Sequence, residues 1–204
     1  VVINGPASQP QFRDEIRSEV SVSSLEKNRG FAAGMNAGIR SAIADEPDYL
    51  WLLNNDTVVD SQSLCELVQH AVNHPELDWI GSTMLDVNNG QIISYGGYRY
   101  FDAVSAALPI KKRGVGADYL DGAAMFLCTT ALKDVCLIPE KSFLYFEELY
   151  LARAFTERGY DWGTCNTAFV THIGGSSTAT LGARKKTYYL TRAALEYTWQ
   201  FSPI

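Results

Sequence analysis

The chain has 204 residues, 47% of them hydrophobic and 20% charged, which suffices for one sizeable core and fits an ordinary globular domain. A net charge of −6 excludes the basic footprint that nonspecific nucleic-acid binding needs, while leaving room for an acidic metal site. The four cysteines, Cys65, Cys128, Cys136 and Cys165, form no close pair and no zinc-type spacing; free thiols in a reducing compartment are expected.

Val1-Val2-Ile3 before Asn4-Gly5-Pro6 reads as a strand running into a turn, and Val20 to Leu25 as a second, weakly alternating strand. Asn28 stands where it would cap a helix from about Gly30 to Ala44, ended before Pro47. On that helix Gly30, Gly34 and Gly38 make one smooth face for close approach of a strand or a ligand. Tyr49 to Leu53 is an apolar run that halts at Asn54-Asn55-Asp56, a buried strand with a carboxylate at its tip. Asp60 or Ser61 would cap a second helix with Leu64, Leu67, Val68, Ala71 and Val72 on one face, stopping at Asn73-His74-Pro75.

Trp79-Ile80-Gly81 opens another strand, and Gly90 to Tyr100 suggests a strand pair around Asn88-Asn89-Gly90. Phe101 to Ala117 lacks periodicity and reads as a loop, its Lys111-Lys112-Arg113 cluster solvated. Ala123 to Cys128 is an apolar strand, followed by a short helix near Thr130–Val135. Phe143-Leu144-Tyr145-Phe146 leads into Glu147-Glu148 and a helix ending at Arg158-Gly159, where glycine suits the C′ position. Strand material from Tyr160 to Val170 runs on to His172 and Gly174-Gly175-Ser176-Ser177, and Lys185 to Phe201 is an amphipathic helix. No apolar run reaches transmembrane length, and no repeat or linker divides the chain, so one α/β sheet domain is expected.

In open α/β sheets ligands bind beyond the carboxyl ends of the strands, where Asp56 falls. A carboxylate beside two amides is hard oxygen chemistry, suited to Mg²⁺ or Mn²⁺ carrying phosphates; the same residues also make an ordinary turn. Glu147 and Glu148 open a helix, where carboxylates favour the dipole whatever else they do. His172 is either a structural histidine or, with the glycines after it, a phosphate- or metal-facing one.

Taken together, Asn28-x-Gly30-Phe31-Ala32-x-Gly34-x-Asn36-x-Gly38, Leu53-Asn54-Asn55-Asp56-Thr57, Phe143 to Glu148, and His172 before Gly174-Gly175-Ser176 resemble the family 2 glycosyltransferases. The similarity runs from about Val1 to Arg192 and points to the bacterial rhamnosyltransferase-like branch of cell-surface polysaccharide synthesis. It implies a GT-A fold, a Rossmann-like mixed sheet of the nucleotide-diphospho-sugar transferases flanked by helices. Residues 1–100 would form the nucleotide-sugar-binding half, 101–183 the acceptor-side half and 184–204 a C-terminal helix of the single domain.

The resemblance further implies an inverting, metal-dependent transfer from a nucleotide-sugar donor to a glycan or lipid-linked glycan hydroxyl, in the cytoplasm or at the inner face of the plasma membrane with peripheral membrane association. Asp56, with His172, would hold Mg²⁺ or Mn²⁺; Asn28, Gly30, Gly34, Asn36, Asn54, Asn55 and Asp56 would bind the donor. Glu148 would be the general base, and Asp121, Gly122 and Glu147 would line the acceptor side. Ile3, Tyr150 and Ala193 depart from the family's usual Asp, Asp and Asn, and the family's first strand has no counterpart, so a longer protein and an open sheet position beside Val1–Ile3 are expected. A decayed sugar- or nucleotide-binding module is the rival reading, and a nucleotidyltransferase of similar topology a third.

Overall fold

In the computed structural model, which describes residues 2–5, 18–100, 106–109, 116–173 and 181–201, strand β1 (Val2–Asn4) pairs in parallel with β2 (Ser23–Leu25) as a separate two-stranded sheet. Helix α1 (Phe31–Ala42) follows, extended by a 3-10 turn over Ile43–Asp45. Strands β3 (Tyr49–Leu53) and β4 (Thr57–Val59) flank the Asn54–Asp56 tip, and helix α2 (Ser63–Asn73) leads to the long strand β5 (Leu77–Asp86). Then come β6 (Ile92–Ser94), β7 (Gly97–Tyr100), β8 (Ala106–Pro109), β9 (Ala124–Cys128) and α3 (Thr129–Asp134). Helix α4 (Glu147–Arg158), strand β10 (Asp161–His172) and helix α5 (Gly182–Phe201) complete the described chain.

The large sheet is six-stranded and mixed, in the order β3-β9-β5-β10-β4 with β6 on β5. β9 runs antiparallel to both β3 and β5, and β10 runs parallel to β5. Hence β3, β5 and β10 all point the same way. Their carboxyl ends, and the entry to β9, lie at one end of the sheet. β9 covers Trp79–Gly81 and β6 covers Met84–Leu85 along the same edge of β5. In β10 the pairing jumps between Cys165 and Phe169, a bulge into which α2 docks: Ser63 Oγ donates to Phe169 O at 2.8 Å and accepts its N–H at 2.9 Å.

Several expectations are refined. Gly30, at φ 96°, is the residue that precedes α1; Asn28 instead folds its side-chain oxygen onto Gly30 N–H at 2.9 Å. The glycine face serves a strand. A Cβ on Gly34 would lie 2.7 Å from Asn4 Nδ2, and one on Gly38 would lie 2.8 Å from Val2 Cγ2, so only glycine lets β1 lie this close. On α2 the buried row is Ser63, Leu67 and Ala71. Leu64, Val68 and Val72, one helical position further round, stay exposed at 50%, 48% and 69%. Within 101–117, where a loop is expected, residues 106–109 pair with β7; Lys111-Lys112-Arg113 and Gly174-Gly175-Ser176-Ser177 lie outside the described residues.

The main core packs α1, α4 and α5 around Trp79, Leu127, Leu149, Leu151 and Phe155. Trp79 meets Phe155 and Trp162 at ring separations of 5.9 and 6.3 Å, an aromatic cluster of the kind that dominates core energetics. β3 ends the large sheet and β1 pairs with β2, so among the described residues no strand lies between them, although α1 packs against β1, β2 and β3 alike.

Candidate active site

Four segments far apart in the sequence meet at the carboxyl end of the sheet. β3 ends at Leu53 opposite Ala124, and one step further Asn54 N–H donates to Ala123 O at 3.0 Å. The chain then turns sharply, with Thr57 Oγ1 donating back to Asn54 O at 2.7 Å. This turn leaves Asp56 8% exposed, and β4 runs back alongside β10 with His172 opposite Thr57. Ile173 N–H donates to Asp56 O at 2.9 Å, and His172 Nε2 lies 3.3 Å from Asp56 Oδ1. The two sequence candidates for a cation are therefore neighbours. Among the described residues no third His, Cys, Asp or Glu joins them in a metal-holding group. Asn54 Oδ1, two residues before Asp56, is buried without a hydrogen-bond partner among the described residues, an acceptor with unused capacity.

The acidic pair arrives by another route. Tyr145 and Phe146 both adopt left-handed backbone, at φ 74° and 73°, a conformation that costs non-glycine residues on the order of 1–2 kcal/mol each. Phe146 is held there by burial and by Tyr197, 5.7 Å away ring to ring. The tight entry drives Glu147 into the interior, 5% exposed, with its Oε1 lacking a hydrogen-bond partner among the described residues. Burial first, and the charge of Glu148 second, push the Glu147 carboxyl well up from the usual range. Glu148 is pushed up as well, by burial and then by Asp121. Such a pair does not hold two negative charges at neutral pH.

Asp121 and Gly122 connect the two poles. Asp121 Oδ1 accepts Ala123 N–H at 3.0 Å, and the open side of Gly122 faces Glu148 Oε2, 3.6 Å from where a Cβ would sit. A residue missed in the sequence, Tyr119, belongs here too. Burial raises its hydroxyl pKa, with the charges of Glu148, Asp121 and Asp118 adding to the shift. Its place two residues before Asp121-Gly122 was the available signal.

The Asn28–Gly38 motif reaches the site through backbone. Phe31 N–H donates to Phe143 O at 2.9 Å, and a Cβ on Gly30 would lie about 3.0 Å from Phe143 Cα. Asn4, read as a turn residue, ties β1 to this entry: its Nδ2 donates to Gly30 O at 2.6 Å and its Oδ1 accepts Arg29 N–H at 3.0 Å. Asn36 is 1% exposed and its amide is occupied, donating to Ile138 O at 2.8 Å and Glu140 Oε1 at 2.9 Å and accepting Ile138 N–H at 3.1 Å. That Asn36 hydrogen bond, with Arg40 and Arg29 beside it, pulls the Glu140 carboxyl below its ordinary value. Asn36 thus supports the site by clamping residues 138–140 onto α1.

Two of the departures from the family pattern have a packing reason. Tyr150 and Ala193 are buried where α4 meets α5, with Tyr150 edge-on to Tyr197 at 5.1 Å. An ionised Asp at 150 would be desolvated there at a cost. The side chain of Ile3 lies outside the described structure.

Comparison with known proteins fits this architecture. A crystal structure of GalNAc-T7 with UDP, GalNAc and Mn²⁺ superposes at a TM-score of 0.58 with 13% identity, covering 74% of this chain and 32% of that one. A structure of residues 1–349 of S. aureus TarS gives a TM-score of 0.55 at 16% identity, covering 90% and 50%. A second TarS structure gives 0.52 at 15% identity, covering 82% and 29%. The chain thus spans half or less of the length of these structures, and they establish the fold, a GT-A mixed sheet flanked by helices. No curated protein matches. The family model of glycosyltransferase-like family 2 matches residues 12–188, most of the chain and all four of the segments that converge on the acidic site, and to that family this chain belongs.

Proposed function

We propose that this domain is an inverting, metal-dependent glycosyltransferase that moves a sugar from a nucleotide-diphospho-sugar to a hydroxyl of a glycan or lipid-linked glycan, on the cytoplasmic side of a bacterial membrane and within the rhamnosyltransferase-like branch. The observation that carries this reading is the junction of the Asn54–Asp56 tip with the start of α4 through Asn54–Ala123 and Gly122–Glu148. Asp56 and His172 would hold Mg²⁺ or Mn²⁺, two donors leaving ligand positions for phosphate oxygens and water. The Mn²⁺ and UDP of the GalNAc-T7 structure support a divalent cation and a nucleoside diphosphate as ligands of such a fold. When bound, the cation supplies positive charge against the negative charge gathering on the departing diphosphate.

The remaining steps belong to the chain. Asn54 and Asn55, with Asn28 beside the β1 tip, would line the donor; Gly30 and Gly34 would serve it through the close approach of Phe143 and β1 that they allow, and Asn36 through Ile138 and Glu140. Glu148 accepts the proton of the acceptor hydroxyl as its oxygen bonds to the anomeric carbon and the bond from that carbon to the diphosphate breaks. A single base and one displacement invert the anomeric centre. Asp121, Gly122 and Glu147 would shape the acceptor side, Glu147 carrying a proton and sparing the site a second charge.

The test is titration of a panel of nucleoside diphosphates with and without Mn²⁺, on the domain and on Asp56→Ala. Mn²⁺-dependent binding that disappears in the variant, with ligand-free thermal stability little changed, is the expected result. Equal binding without metal, or a variant that unfolds, makes Asp56 a turn residue and ends the metal reading. Metal-dependent binding with no turnover on any donor would favour the binding-module reading.

A further inference from the structure

Helix α5 is amphipathic on two opposite sides. Its inner side carries Tyr189, Ala193, Tyr197 and Phe201, stacked on Phe143, Phe146 and Tyr150. Away from the core, Arg184, Tyr188, Leu195 and Trp199 follow one another at steps of four, seven and four residues, which return a helix to nearly the same side. Tyr188, Leu195 and Trp199 are 57%, 66% and 82% exposed. An open groove of about 760 Å³ runs beside Arg184, Tyr188, Thr191 and Leu195. A second, of about 590 Å³, lies between Trp199 and Lys141.

Charge identifies the occupant. In a chain of net charge −6, α5 carries Arg184, Lys185, Lys186 and Arg192 against the single acid Glu196. Arg184 sits within the apolar stripe and Lys185 edges it, with Arg192 paired to Glu196 at 2.7 Å, whereas the core of a protein–protein face is depleted of charge. Tyr and Trp on an apolar stripe rimmed by Lys and Arg match the headgroup region of a bilayer. No described helix is long and apolar enough to cross a membrane, so such contact is made lying flat. We infer that the outer side of α5 is a docking surface for an anionic lipid bilayer. The inner side of the same helix is fixed to Phe143 and Phe146, so a docked α5 holds Glu147 and Glu148 one helix away from the lipid surface. That consequence rests on the proposed transfer to a lipid-linked acceptor, while the docking itself does not.

The experiment is co-sedimentation with vesicles of phosphatidylcholine alone or with about one third phosphatidylglycerol, without donor or metal, so its outcome is independent of transferase activity. At least about tenfold more protein bound to the anionic vesicles, declining as salt rises, is expected. Tryptophan emission should shift to the blue on binding, and Trp199→Phe should remove most of that shift. Leu195→Gln with Trp199→Gln should abolish binding while leaving the folded circular dichroism spectrum and nucleoside diphosphate binding intact. Arg184→Glu with Lys185→Glu should erase the preference for anionic lipid. Equal retention on both vesicles, no retention, or lipid-free self-association that buries Trp199 would overturn the inference, the last by making the face a contact between copies of the chain.

Discussion

Asp56 and Glu147 are buried alike, at 8% and 5% exposure, yet they meet burial in opposite ways. Asp56 has a basic neighbour, His172 Nε2 at 3.3 Å, on the strand that also receives its backbone carbonyl. Glu147 has another carboxylate beside it and one oxygen with no hydrogen-bond partner among the described residues. The first arrangement sets a carboxylate and an imidazole side by side at a strand tip, a pair of donors that a cation would complete. The second drives Glu147 to keep its proton, while burial and then Asp121 raise its neighbour Glu148 to about 7, where a base can both take and release a proton near neutrality. One end of the sheet therefore carries a pole shaped for a cation and a pole that handles protons, with Asp121 and Gly122 between them.

The sharpest way to break this comparison is to remove the base and keep its shape. Glu148→Gln should lower turnover at least about a hundredfold, the usual contribution of a positioned base, with Mn²⁺-dependent donor affinity nearly unchanged. Glu147→Gln should cost much less, because Glu147 already carries a proton at neutral pH. In the parent domain kcat should climb with pH through about 7 as Glu148 loses its proton, and Glu148→Gln should lose that limb. Equal losses at both positions in steady-state kinetics would erase the distinction between them.

A smaller effect should come from the hinge that delivers the proton pole. Gly30 sits at φ 96°, its open side pressed on Phe143, and Phe31 N–H bonds Phe143 O at 2.9 Å. Gly30→Ala should destabilise the fold by about 2 kcal/mol or more, read by denaturant unfolding, since both backbone conformation and space are lost. Nucleotide binding at the Asp56 pole should survive in the fraction that folds. A neutral outcome would mean that the junction between α1 and residues 143–146 does not hold α4 in place.

Much of this geometry was legible in the chain. Local signals sufficed where a residue's own backbone preference decides the outcome: the apolar run stopping at Asn54, the Gly159 end of α4, the glycine face of α1. They failed where tertiary contact decides. Asn28 can cap a helix, but Gly30 takes that place because its positive φ lets the chain pass under Phe143. Leu64, Val68 and Val72 are as apolar as their buried neighbours, and the inward row is selected by the β10 bulge that holds Ser63 and by Ile80, Phe126, Cys165 and Ala168, which cluster with Leu67 and Ala71. Asn36 looks like a ligand-binding amide in sequence because its partners, Ile138 and Glu140, are about a hundred residues away. The carboxylates Asp56, Glu147 and Glu148 were found by type and position; the split between them comes from the neighbours that the fold sets beside each, His172 beside Asp56 and Glu148 beside Glu147, which no single sequence prints.

The smallest expected effect is on stability, and its sign separates the poles once more. Unfolded carboxyls release their protons near 4.5, whereas in the folded chain burial keeps the Glu147–Glu148 pair protonated up to about 7 to 8. Between those values the folded state binds more protons than the unfolded one, so stability is fully present below the unfolded value and is lost as pH rises through the folded one. The domain should therefore melt a few degrees higher at pH 5.5 than at pH 8, a difference of at least about 1 kcal/mol. Lowered carboxyls such as Glu140 act in the opposite sense, but only as pH falls below the ordinary range, so they leave this window untouched. Glu147→Gln removes the group with the larger shift and should reduce the slope, leaving the part that belongs to Glu148. Melting curves across that range decide it: a slope that survives Glu147→Gln combined with Glu148→Gln would mean that the buried pair is not what couples this fold to protons.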